Sequence, residues 1–241
     1  MLKTRDITLI AIFSVLYVIL SALPGIPVVG ISGARIELAA SIAPLFGVIL
    51  GPLVGSLAMF IAALAAWILP PGSPSIFGLL LIPCPVISAL IGGLLASKKW
   101  IYAFTILTVT TLSWYTTWIG IAAPYYPIMH FTGIALILIL RDKISISPSS
   151  GVKHLIMLAI IGYCGLVADH MVGNIVFINS IGLFIPLESI EGWLKSLNLP
   201  NIPSLFMYML PISATERIFM TIIFVLVSTP VLKALKIAKL K

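Results

Sequence analysis

Apolar runs of membrane-crossing length recur along this chain with little between them. Eight are legible, roughly residues 7–23, 36–50, 52–69, 76–97, 100–119, 126–140, 154–178 and 206–232. No water reaches the backbone inside a bilayer core, so every N–H and C=O must be satisfied within the segment, and a helix does this. With 61% hydrophobic and 9% charged residues, the composition agrees. The expected fold is all-α, a polytopic integral membrane helical bundle of about eight transmembrane helices. Most connections are short and rich in Pro and Gly, with 141–153 and 179–205 the long exceptions. The whole of 1–241 reads as a single transmembrane helical domain.

The start, MLKTRDITLIAIFSVLYVILSALPG, has the basic head and apolar core of a signal peptide, and Met1 favours a first helix that is retained. If the N-terminus is cytoplasmic, eleven basic residues fall inside: Lys3, Arg5, Lys98, Lys99, Arg141, Lys143, Lys153, Lys233, Lys236, Lys239 and Lys241. Only Arg35 and Lys195 fall outside, and Arg217 lies within the last run. By the positive-inside rule this predicts a multi-pass protein of the cell membrane with both termini cytoplasmic. The net charge of +7 concentrates in the C-terminal lysines just past a membrane segment. It reads as an anchor to the lipid bilayer, with no nucleic acid as partner.

Ionisable groups are costly at mid-bilayer, about 2.5–3.5 kcal/mol for a central Asp, Lys or Arg. The chain nevertheless places them at three points: Arg35 with Glu37, Asp169 with His170, and Glu216 with Arg217. Under the topology above all three fall in the outer half of the membrane, and Asn174 follows His170 by one helical turn. The second, seventh and eighth helices are therefore expected to enclose a polar cavity open to the exterior. Trp114 and Tyr115, set among Ser113, Thr116 and Thr117 in LSWYTTW, are the aromatics expected to face it. The candidate substrate-binding set is Arg35, Glu37, Trp114, Tyr115, Asp169, His170, Asn174, Glu216 and Arg217. Arg35 or Arg217 would hold an anionic group, Glu37, Asp169 or Glu216 a cationic one, and the aromatics a ring, which suits a polar or zwitterionic small-molecule solute. The competing reading pairs Asp169 with Arg217 and Glu37 with Arg35 as salt bridges that only register helices. The chain would then be a non-catalytic accessory subunit of a larger membrane complex.

Packing signals surround these groups. Gly162, Gly165, Asp169 and Gly173 share one face of their helix, and Gly51, Gly55, Ala58 and Ala62 recur at helical spacing in the third run. Gly51-Pro52 predicts a tight turn, and Pro83 and Pro85 in LIPCPVI predict a kink in the fourth helix. Trp67, Trp118, Tyr125 and Tyr126 read as an aromatic belt.

Catalysis finds little support. No His-Glu-x-x-His or Gly-flanked serine nucleophile occurs. Cys164 and His170 lie six residues apart, about 120° around one helix, so the thiol lacks a base. Cys84 and Cys164 have no His or second Cys at ligand spacing, so neither a metal nor a cofactor is expected. Without an ATP-binding loop, the chain alone does not power transport.

Three stretches carry a family resemblance: TRDITLIAIFSVLYVILSALPGIPVVG, ARIELAASIAPLFGVILGPLVGSLAMFIAALAAW and PISATERIFMTIIFVLVSTPVLKAL. They resemble the substrate-binding S components of energy-coupling-factor (ECF) transporters, best over the first seventy residues and moderately over the last thirty. The resemblance implies capture of a vitamin or similar micronutrient, followed by docking on a transmembrane coupling subunit and a pair of ATPase subunits. It also implies a six-span core, two fewer than the runs counted here. The family's Ala-x-x-x-Ala docking pattern is replaced here by Ala11, Ser14 and Ala22 in AIFSVLYVILSA.

Overall fold

The computed structural model describes residues 4–23, 26–27, 35–36, 38–70, 74–144 and 151–237, with backbone alone at 26–27 and 35–36. Helix α1 (Thr4–Ser21) leads to a two-residue antiparallel ladder, β1 (Ile26–Pro27) against β2 (Arg35–Ile36). The rest is helical. α2 (Leu38–Ser41), α3 (Ala43–Leu50) and α4 (Pro52–Ile68) come first, followed by α5 (Ile76–Leu81), α6 (Pro83–Ala96) and α7 (Trp100–Leu112). After a 3₁₀ turn come α8 (Trp118–Ala122), α9 (Ile128–Leu140), α10 (Val152–Ser180), α11 (Leu187–Ser196) and α12 (Ile202–Ile237).

Helix occupies each of the eight apolar runs, but with unequal lengths. Four stretches are long and apolar enough to cross a membrane: Thr4–Ser21, Ile76–Ala96, Val152–Ser180 and Ile202–Ile237. The protein is therefore a helical membrane protein. Leu38–Leu50, Pro52–Ile68 and Ile128–Leu140 are shorter apolar helices. At ~1.5 Å per residue a 13-residue helix such as α9 covers roughly 20 Å of a hydrocarbon core about 30 Å thick.

Proline divides two of these stretches. The second run is split at Ile42, two residues before Pro44, and the fourth at Ile82, directly before Pro83. A proline lacks the N–H that the carbonyl four residues earlier needs. Where a kink is expected, the hydrogen-bond ladder is interrupted between α5 and α6, while Ile82 keeps helical dihedrals of φ −54° and ψ −37°. The fifth run also ends early, at Leu112. Ser113 Oγ there donates to the Thr110 carbonyl and Thr117 Oγ1 to the Trp114 carbonyl, while Thr117 Oγ1 also caps Gly120 N–H. In the long connection 179–205, α11 forms an amphipathic helix, with Ile190 buried and Glu188, Glu191 and Lys195 exposed.

α6 sits at the centre, against α3, α4 and α10. Glycine sets the closeness of this contact: a Cβ on Gly47 would strike the backbone of Ala89 and Gly93, and one on Gly55 the backbone of Phe46 and Gly47. Gly51 turns α3 into α4 at φ +82°, a left-handed conformation that favours glycine. The α10 glycines serve two neighbours, Gly162 meeting Phe224 of α12 and Gly165 the Ser88 carbonyl of α6.

Candidate functional site

A cavity of about 590 Å³ opens among α1, α2, α4, α5, α6, α10 and α12. α10 contributes Asp169, His170, Gly173 and Asn174, and α12 contributes Glu216, Arg217 and Met220. Facing them are Tyr17 and Ser21 of α1, Trp67 of α4, and Cys84 and Pro85 of α6. The remaining wall is mostly small: Ala40, Ala63, Ala66 and Gly78, with Leu81 and Ile82. Small residues leave the volume unfilled. A Cβ at Gly173 would meet only Cys84 Sγ, at 3.7 Å.

Both helix breaks border this space. Ala40 and Leu81 line it, and the residues four positions on, which would donate to their carbonyls in an unbroken helix, are Pro44 and Pro85. At membrane depth, broken backbone is tolerated where it is packed in protein or lines a water-filled cavity.

The ionisable groups are held with little exposure. Asp169 is 9% exposed and Arg217 8%. Arg217 Nη2 lies 3.1 Å from Glu216 Oε1, an ion pair between neighbours on one helix.

Behind His170 and Asn174 runs a second polar layer. His170 Nδ1 is 3.3 Å from His130 Nε2 and 3.2 Å from Asn174 Nδ2. Tyr126 Oη lies 3.4 Å from His170 Nε2 and donates to Asn174 Oδ1 at 3.3 Å. Tyr126 and His130 are buried, and neither lines the cavity. The two imidazoles stack with centroids 5.4 Å apart.

The structure thus brings Asp169, His170, Asn174, Glu216 and Arg217 to one cavity. Glu37 lies outside the described residues, and Arg35 is described by its backbone in β2. Trp114 and Tyr115 stand elsewhere. Trp114 is fully buried, with Nε1 donating to the Ala123 carbonyl at 3.1 Å, and Tyr115 Oη donates to the Pro124 carbonyl at 2.9 Å. The hydroxyls that surround them in sequence serve the end of α7 and the start of α8, not a wet wall. Tyr17, Ser21, Trp67 and Cys84 are cavity residues that the sequence did not single out for this role. The prolines flanking Cys84 were the available signal, since a broken helix needs a reason.

Among the described residues no three His, Cys, Asp or Glu side chains gather as a metal site requires. The fold and cavity define a helical membrane protein with an ionisable pocket inside its bundle. Over 194 residues, 80% of its length, the chain is 28% identical to an uncharacterized protein of Methanocaldococcus jannaschii. The match covers 59% of that relative, so the chain spans about three fifths of the length of the protein it resembles. No family model and no solved structure matches the chain.

Proposed function

We propose that this protein is a membrane-embedded subunit that binds a small polar solute in the cavity and takes part in its transport across the cell membrane. The observation that carries the proposal is the meeting of Asp169, His170, Asn174, Glu216 and Arg217 with two proline-broken helices around one space of about 590 Å³. A volume of roughly 300–1,000 Å³ is ordinary for small-molecule sites, and ionisable groups within membrane segments ordinarily mark solute or ion pathways. Opposite charges suit a zwitterionic solute, with Trp67 and Tyr17 offering ring faces in place of Trp114 and Tyr115.

In this reading the eight helical stretches form eight spans with both termini cytoplasmic, and the short ones are completed by their flanking turns. The resemblance to ECF S components supplies the remaining parts, a separate transmembrane coupling subunit and ATPase subunits. Thermal-shift screening of the purified chain against vitamins, their precursors and amino-acid derivatives tests the proposal. A true ligand raises the unfolding temperature with dose, by about 2.7 kcal/mol of stability at one hundred times its Kd. A screen in which no compound stabilises the protein or shields Cys84 from thiol reagents would favour the accessory-subunit reading.

A further inference from the structure

We infer that α11 and the turn leading into it lie along the membrane surface, with Leu183, Phe184, Leu187 and Trp193 seated in lipid at the boundary between headgroups and acyl chains. This placement depends neither on what the cavity binds nor on which face of the membrane is the outer one.

Depth follows from length. α10 has 29 residues, roughly 43 Å at ~1.5 Å per residue, against about 40–45 Å for a bilayer with its headgroups. A helix of that reach that crosses the membrane ends in the headgroup layer. Ser180 closes α10, and the turn and α11 follow directly. Phe177 of α10 stacks on Trp193 with ring centroids 6.3 Å apart and planes 17° from parallel, so α11 is fastened beside the end of α10.

The turn is apolar outside and closed on itself within. Leu183 is 75% exposed and Phe184 43%, yet the backbone around them finds its own partners. Ile181 N–H donates to the Ile178 carbonyl, Gly182 N–H to the Ile185 carbonyl, and the N–H groups of Leu183, Phe184 and Ile185 to the Ser180 carbonyl. Pro186, next in the chain, has no N–H to satisfy. Leu183 and Phe184 can therefore enter lipid without taking an unpaired donor with them, which an open loop could not do.

α11 continues the same division. At about 3.6 residues per turn, Leu187, Ile190, Trp193 and Leu194 gather on one side of it, and Glu188, Glu191, Gly192 and Lys195 on the other. Ile190 is the residue buried against the protein, while Leu187 and Trp193, on either side of it, are 53% and 46% exposed. The apolar side is thus wider than the protein beneath it covers, at a depth where lipid is the neighbour. Glu188 and Glu191 outnumber Lys195 on the polar side, so apolar contact, not attraction to anionic headgroups, holds the helix down.

The test uses the full chain without Cys84 and Cys164, in phosphatidylcholine nanodiscs, with single nitroxide-labelled cysteines at Leu183, Leu187, Glu188 and Gly192. Molecular oxygen concentrates in lipid and a neutral nickel chelate in water, and each relaxes the labels it meets. The ratio of oxygen to nickel accessibility should be severalfold higher at Leu183 and Leu187 than at Glu188 and Gly192. Equal ratios at Leu187 and Glu188 overturn the inference. So do labels at Leu183 and Leu187 that are immobile and closed to both reagents, the mark of a covering protein. If the thiol-free chain does not fold, Trp193 answers in the unlabelled one. Trp193→Phe keeps the stack on Phe177 and should remove emission that lipids brominated near the headgroup quench. If aqueous iodide quenches that emission instead, α11 stands in water and the inference fails.

Discussion

Trp114 and Tyr126 stack with ring centroids 4.6 Å apart and planes 27° from parallel, and Phe206 of α12 meets both rings edge-on, at 5.2 and 5.1 Å. This cluster ties the α7–α8 turn to the last helix and holds Tyr126 against His170. Trp114→Ala should lower unfolding stability by about 3–5 kcal/mol, as expected for a large aromatic truncated in a packed core. Tyr115→Phe removes one hydrogen bond to Pro124 and should cost about 1 kcal/mol. Thermal unfolding of the two variants separates the roles. A stable Trp114→Ala protein that has lost solute binding would return Trp114 to the site.

The chain's two cysteines report on the cavity. Cys84 lines it, whereas Cys164 is fully buried with its thiol directed at the Gly133 carbonyl, 3.6 Å away. A small water-soluble thiosulfonate should modify Cys84 alone in the folded protein and both thiols after unfolding. Mass spectrometry counts the adducts. Modification of Cys164 at the same rate as Cys84 would contradict the cavity's place between α6 and α10.

Where the helices lie relative to the two faces of the membrane rests on the distribution of Lys and Arg. In a protein lacking both native thiols, cysteines introduced at Ser149 and Ser196 should label from opposite sides, Ser149 from the cytoplasm. Ser149 falls outside the described residues, and Ser196 is exposed at the end of α11. Labelling of both from one side would end the eight-span arrangement.

Much of this architecture was legible because a few residue types leave no choice. Charges inside apolar runs have to meet one another or water, which is why Asp169, Glu216 and Arg217 pointed to a shared space. Proline removes a helical donor, which is why Pro83 and Pro85 marked the change from α5 to α6, although α12 runs on through Pro211 and Pro230. Aromatic and hydroxyl residues are less informative, since each serves several ends. Trp67 has the look of a belt residue, yet its Nε1 donates to the Ser75 carbonyl and its ring reaches the cavity. Ser113, Thr116 and Thr117 suggest a polar wall around Trp114, yet each spends its hydroxyl on a local carbonyl. Tyr17 and Ser21 sit in a helix with almost no amphipathic period, so nothing in α1 tells the cavity side from the lipid side.

Gly47 tests how far glycine governs the centre of the bundle. A methyl group there would meet the backbone of Ala89 and Gly93, and backbone cannot turn aside as a side chain does. Gly47→Ala should therefore cost roughly 1–3 kcal/mol or more, and Gly51→Ala should also destabilise through its positive φ. Gly192, where a Cβ would meet nothing within 4 Å, is the control for a harmless substitution. Equal unfolding temperatures for the Gly47 and Gly192 variants would refute the close approach of α3 and α6.

The pair formed by Glu216 and Arg217 separates a wet cavity from a dry architectural contact. Their side chains are 21% and 10% exposed and both line the cavity. In a dry interior, removing one partner strands the other charge and costs about 3–5 kcal/mol, and neutralising both restores much of the loss. Water in the cavity solvates whichever charge is left, so each single change then costs about 1 kcal/mol or less. The expected outcome is the second, because the space of about 590 Å³ beside the pair is large enough for many waters. Glu216→Gln, Arg217→Gln and the double variant form the cycle, read by unfolding and by solute binding. Binding should weaken by a factor of about ten, or 1.4 kcal/mol, in each single variant, while folding stays nearly intact. Large single losses of stability recovered in the double variant, with binding unchanged, would show instead that these charges register α12 and take no part in recognition.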